Sequence, residues 1–194
     1  MPLLDLEPFV SSEDLLSGPV PPSEEGTLWW VLHTRPRVEK ALARKLYETG
    51  RDFFLPLHKN RWYANGRWRT SYLPLFPGYL FVRGDGALRD FVLATNQVAH
   101  VLPVPDQAGL HADLFAVYRA MQSGLLMAPE ERLCPGSPVE IIAGALKGLQ
   151  GTVLRRDKET RFVIEVRFLQ RGVSVAIEGW MLRPLVSPVS PTKN

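Results

Sequence analysis

Asn65-Gly66 sits between two runs of eight or more residues, RDFFLPLHKNRWYA and RWRTSYLPL, and this dipeptide constrains the chain more than any other feature. Asn-Gly best tolerates the two positive φ angles of a type I′ turn, and a two-residue turn of that type joins only antiparallel strands. It places Tyr63 opposite Trp68 and Trp62 opposite Arg69, on an arm that also carries Arg61 and Arg67. Around it, TLWWVLHT reads as a buried strand, residues 37–49 as an amphipathic helix stopped by Gly50, GYLFVRG as a strand, ALRDFVLAT as a short helix, VAHVLPV as a strand and HADLFAVYRAMQSG as a helix. Hairpin-linked strands with interspersed helices predict an antiparallel α+β sandwich, not a doubly wound parallel sheet.

Beyond Gly124 the helical period disappears. PVEIIAG, GTVLRR, RFVIEVRF, VSVAIEG and WMLRPL are five β-rich segments with glycine or charged turns, enough for a small SH3-like barrel. The predicted organisation is an acidic disordered extension over 1–26, an α+β domain over 27–124, a linker over 125–133, a barrel over 134–186 and a loose tail over 187–194.

Charge is distributed unevenly. The net charge is only +3, but between Trp29 and Arg83 eleven Lys and Arg residues face three acids, the electrostatic footprint of a polyanion-binding face. The single cysteine, Cys134, has no internal partner, and no long apolar run or signal peptide is recognisable, so a cytoplasmic protein without membrane contact is expected. The four histidines lack metal-ligand spacing, so no metal is expected. GALKGLQG fails as a phosphate loop because Leu149 and Gln150 follow its last glycine. With no GxSxG, HExxH or clustered carboxylates either, neither an enzyme nor a cofactor is expected.

Three stretches together resemble the NusG family of transcription elongation factors: WWVLHTRPRVEKALARKL, PLFPGYLFV and VEIIAGALKGLQGTV. The first two are similar to strands and a helix of the family's amino-terminal (NGN) domain, and PLFPGYLFV is closest to specialised paralogues of the RfaH type. The third looks like a KOW motif. The resemblance implies an elongation or antitermination factor whose NGN-like domain promotes processive transcription. In it, Trp30, His33, Phe76, Tyr79 and Phe81 would form an apolar depression for the clamp helices of the RNA polymerase β′ subunit. Period-two alternation across 76–82 puts Phe76 with Leu80 and Val82, and Tyr79 with Phe81 on the other side.

The same resemblance implies contact with the non-template DNA strand through Arg35, Arg37, Lys45, Thr95 and Asn96. Arg44, Arg61, Arg67 and Arg69 add to the nucleic-acid face. Phe168, Leu169 and Arg171 match the loop by which such barrels engage Rho or a ribosomal small-subunit protein, with Gln170 where a glycine is usual. A barrel this rich in Val and Ile is expected to stay β and to leave the aromatic depression open. The implied setting is a monomer in the bacterial cytoplasm, associated with the nucleoid during transcription. The competing reading is an RNA- or ribosome-binding module without effect on polymerase.

Overall fold

The computed structural model describes residues 9–18, 26–130, 136–156 and 159–185. The predicted tail over 187–194 lies outside them, as do Cys134 and residues 131–133 of the predicted linker.

The first unit is built on a four-stranded antiparallel sheet in the order β2-β5-β1-β6, with β1 at Leu28–Thr34, β2 at Asp52–Phe54, β5 at Tyr79–Gly84 and β6 at Val98–Pro103. Helices α1 (Glu39–Glu48) and α2 (Gly86–Ala94) cover one face, and α3 (Gln107–Gln122) packs on the other. Strands β3 (Leu57–Ala64) and β4 (Arg67–Pro74) form a separate two-stranded arm through the Asn65-Gly66 turn, whose φ angles of 51° and 76° are those the dipeptide predicts. The stretch 51–64, read as one strand, is two. The turn at Leu55-Pro56 divides it, because proline cannot donate to a ladder. Helix α1 starts later than predicted because Arg37 takes a left-handed φ of 65° that no helix accommodates.

Alternation assigns the two faces of the sheet. Leu32, Phe53, Leu80 and Val82 point to α1 and α2 and form one core with Leu42, Leu46, Leu88 and Val92. Trp29, Val31, Phe54 and Phe81 point to α3 and form the other with Leu110, Leu114 and Val117. Burying each large side chain contributes about 1.5–3 kcal/mol relative to exposure.

The second unit is a six-stranded antiparallel sheet in the order β12-β8-β9-β10-β11-β7: β7 at Met127–Glu130, β8 at Ser137–Ile141, β9 at Gln150–Arg156, β10 at Glu159–Val166, β11 at Arg171–Ala176 and β12 at Leu182–Pro184. The five predicted strands are present, but the closed barrel is not. Closure needs the outer strands to pair, whereas β12 is three residues long and the free edge of β11 is taken by β7. That sixth strand comes from the segment predicted to be linker, where Met127 to Glu130 pair with Val175 to Gly172. Gly151 is required at the β9–β10 crossing, since a Cβ there would lie 2.3 Å from the Val163 carbonyl oxygen.

The two units share one hydrophobic core. Phe162, Ile164, Val166, Val173 and Val175 of the second sheet join Phe81, Phe76 and the inner side of α3. Part of the acidic extension is also ordered, contrary to the prediction for 1–26. Phe9 accepts from the Leu55 N–H at 2.7 Å, Val10 bridges Phe54, and Leu15 and Leu16 are buried. Acidic residues are the segment's only charged side chains, but its apolar residues determine its docking.

Candidate protein and nucleic-acid interfaces

The turn Leu75–Gly78 organises the aromatic face. Gly78, at φ 84°, donates its N–H to Glu39 Oε1 at 2.8 Å, and its carbonyl accepts from Thr34 N–H at 2.9 Å. The chain therefore turns between β4 and β5, and period-two alternation does not carry through it. Phe76 lands beside Phe81, their rings edge to face at 6.0 Å, and not with Leu80 and Val82. Glu39 begins α1 from a buried position and holds this turn.

Of the five residues expected to line one depression, the structure brings four together. His33, Phe76, Tyr79 and Phe81 share the face toward α3. Trp30 sits on the opposite face and donates its indole N–H to the Gly84 carbonyl at 3.3 Å. Phe76 and Phe81 are 1% and 0% exposed, so they are floor, not surface. His33 and Tyr79 remain partly accessible and stack at 5.3 Å, and His100 continues the stack on the other side of His33 at 5.9 Å.

This face is not open. The Arg171 guanidinium lies 5.2 Å over the Tyr79 ring, and Phe168 and Leu169 pack partly buried against the shared core. The second unit stays β, but it folds onto the face it was expected to leave free. The contact is long-range: the second sheet shares a core with α3, and Arg167 fastens it by binding Asp113 on α3 through two guanidinium nitrogens and its backbone N–H, at 2.9–3.2 Å. Burial raises the Asp113 carboxyl above its ordinary value although Arg167 pulls it down, and the same bonds raise Arg167. Arg119 adds bonds to the carbonyls of Ala145 and Lys147 at 3.4 and 3.2 Å. Asp113, Arg167 and His100 escaped the sequence reading because no local pattern links positions more than fifty residues apart. Gln170 adopts φ 55°, the left-handed conformation that a glycine takes without strain.

A cationic edge forms where β1 ends. Arg35 N–H donates to the Gln97 carbonyl at 2.8 Å, which fastens Arg35 to the loop holding Thr95 and Asn96. Arg35, Arg37 and Asn96 are exposed there, and both Arg37 and Asn96 have positive φ. Thr95 uses its hydroxyl to bond Val92 O at 2.7 Å, so it terminates α2. Thr34 Oγ1 and Gln97 Oε1 are buried at this edge with no hydrogen-bond partner among the described residues. Arg44 and Lys45 are exposed on α1. Arg61, Arg67 and Arg69 belong to the β3–β4 arm, a different element.

Among the described residues no helix is long and apolar enough to span a membrane, and no group of three or more His, Cys, Asp or Glu side chains is placed to hold a metal ion.

Residues 27–111 match the family model described as transcription termination factor NusG. The matched segment runs from the start of β1 into α3, less than half of the chain, and contains the aromatic face, the cationic edge and the arm. Among solved structures, one titled "Domain interaction in Thermotoga maritima NusG" aligns at 19% identity over 82% of this chain and 98% of that one, with a TM-score of 0.47. A structure of an MjSpt4:Spt5 complex aligns at 16% identity over 82% and 98% of the two chains, with a TM-score of 0.27. No curated protein sequence matches the chain.

Proposed function

We propose that this chain is a NusG-type transcription elongation factor, a binding protein whose first unit docks on RNA polymerase and whose second unit covers the docking face until it is displaced. The observation that carries the reading is the family match over 27–111, the segment that contains the His33–Tyr79 surface. His33 and Tyr79 make the contact with the polymerase clamp, Phe76 and Phe81 support them from beneath, and Trp30 braces the sheet from the far side. Aromatic groups suit such an interface because they bury large area with little loss of conformational freedom. Arg35, Arg37, Asn96 and the exposed bases of α1 lie on a separate edge suited to the phosphates of the non-template strand. Antitermination is the outcome such docking favours, because a factor that binds the closed clamp better than the open one stabilises the closed form.

Phe168, Leu169 and Arg171, the side chains through which the second unit would engage Rho or a ribosomal small-subunit protein, face inward in this arrangement. Release of the second unit therefore makes two surfaces available together. Polymerase retention by the immobilised chain tests the reading. Asp113→Ala, which removes the clasp, is expected to raise retention severalfold over the wild type, and Tyr79→Ala is expected to abolish the gain. Absence of polymerase from both the wild type and Asp113→Ala would refute it.

A further inference from the structure

Among the described residues the β3–β4 arm groups several exposed large aromatic side chains, whereas Tyr47 and Trp180 stand exposed singly on other elements. Trp62 is 40% exposed, and Tyr63 and Trp68 are each 62% exposed. Register places Lys59, Arg61, Tyr63 and their partners Trp68, Thr70 and Tyr72 on one face, with Trp62, Arg67 and Arg69 on the other. On the first face Tyr63 meets Trp68 edge to face at 5.6 Å, and the Arg61 guanidinium lies 5.3 Å over the Trp68 ring. The arm carries four cations, Lys59, Arg61, Arg67 and Arg69, and residues 57–74 contain no acid. None of the four is paired with a carboxylate among the described residues, and Arg69 Nε is buried without a hydrogen-bond partner.

We infer that this arm binds single-stranded RNA, stacking unpaired bases on Tyr63, Trp68 and Trp62 while its cations neutralise the phosphates. The inference rests on the nucleic-acid-binding reading of the first unit and identifies its ligand at this element. Charge complementarity selects a polyanion. Exposed rings select an unpaired strand, because duplex bases are already stacked and offer no free face. The amide of Asn60 and the hydroxyls of Thr70 and Ser71, half-exposed between the rings and the arm's base, can hydrogen-bond ribose 2′-hydroxyls, which favours RNA over DNA.

Anisotropy of a labelled twelve-nucleotide RNA of mixed sequence, titrated with the full chain without polymerase, tests this. The same sequence as DNA and as a duplex completes the set. Saturable binding is expected, tightest for the single-stranded RNA. Trp68→Ala should weaken it about tenfold, Trp68→Phe should retain most of it, and Arg61→Gln with Arg67→Gln should change the slope of log affinity against log salt from about −2.8 to about −1.4. Equal or tighter binding of DNA or duplex would overturn the assignment, as would no saturable RNA binding or affinity unchanged in Trp68→Ala with thermal unfolding preserved. Polymerase is absent, so a failed retention experiment leaves this result standing. Retention lost in Trp68→Ala with no RNA binding would reassign the arm to the polymerase.

Discussion

Two regions of this molecule use the same chemistry and end in opposite states. On the sheet, His33 and Tyr79 stack beside His100 with Arg171 over the Tyr79 ring. On the arm, Tyr63 and Trp68 pack together with Arg61 over the Trp68 ring. The first cluster is closed by the chain's own second unit, while the second projects with its rings more than half exposed. Composition does not separate them. The difference lies in whether a distant element reaches the cluster. Arg171 follows Arg167, which clasps Asp113 where the second sheet shares a core with α3, and among the described residues no such contact anchors an element over the arm.

The largest expected effect separates floor from surface within the first cluster. Phe81→Ala removes a fully buried ring that meets Phe54 and Phe76, at 6.4 and 6.0 Å between centroids. It should destabilise the protein by about 3–5 kcal/mol, measured by urea unfolding. Phe76→Ala falls in the same class, so neither substitution is a clean probe of partner binding. If Phe81→Ala cost less than about 1 kcal/mol, the sheet face would be surface like the arm, and the contrast would fail.

Much of this architecture was legible locally. The Asn65-Gly66 turn, the helix after Asp85 and the five strands beyond Gly124 follow from turn chemistry and periodicity, whereas α3 begins at Gln107, a turn before the predicted His111, because Asp106 caps it through the Gly109 N–H. What escaped is nonlocal. Phe76 changed sides because the turn through Gly78 interrupts the alternation, and β7 appeared in a segment with little strand signal because the edge of β11 was free to pair. Of the candidate site, the residue types were legible on both clusters. Their accessibility was not, because it depends on the Asp113–Arg167 contact 54 positions apart.

A second prediction concerns the docked amino-terminal segment, which closes the molecule from the other side. His111 is buried on α3, accepting the Trp29 indole N–H on Nδ1 at 3.2 Å and directing Nε2 to the Gly18 carbonyl at 2.7 Å. Burial first, and the charge of Arg83 as well, lower its pKa below the ordinary 6.5, although the bond to Gly18 opposes this. Above pH 6.5 the imidazole is neutral in both folded and unfolded chains. As pH falls below 6.5 the unfolded chain takes up the proton first, so stability is lost with falling pH. Protonation would also place a hydrogen on Nδ1 against the indole N–H. Urea midpoints from pH 7.5 to 5.5 should decline, and less steeply in His111→Gln. Equal slopes would mean that this contact does not couple the segment to the core. His58 is also lowered by burial and contributes in the same direction, so the comparison between variants, not the wild-type slope alone, decides.

The smallest expected effect is the one that most sharpens the contrast. An exposed ring on an arm that no described element covers buries little on folding and so contributes little to stability. Trp68→Ala removes one edge-to-face pair with Tyr63 and one cation–π contact with Arg61, each worth about 0.5–1 kcal/mol at most at exposed positions. Part of that persists in an unfolded chain, where neighbours across a two-residue turn still meet. The net change in unfolding free energy should therefore be under about 1 kcal/mol, against several for Phe81→Ala. A protein keeps large aromatic groups in water at such low structural return when something outside the chain covers them. A loss of 2 kcal/mol or more on Trp68→Ala would make the arm a structural element, and the two clusters would then differ in degree and not in kind.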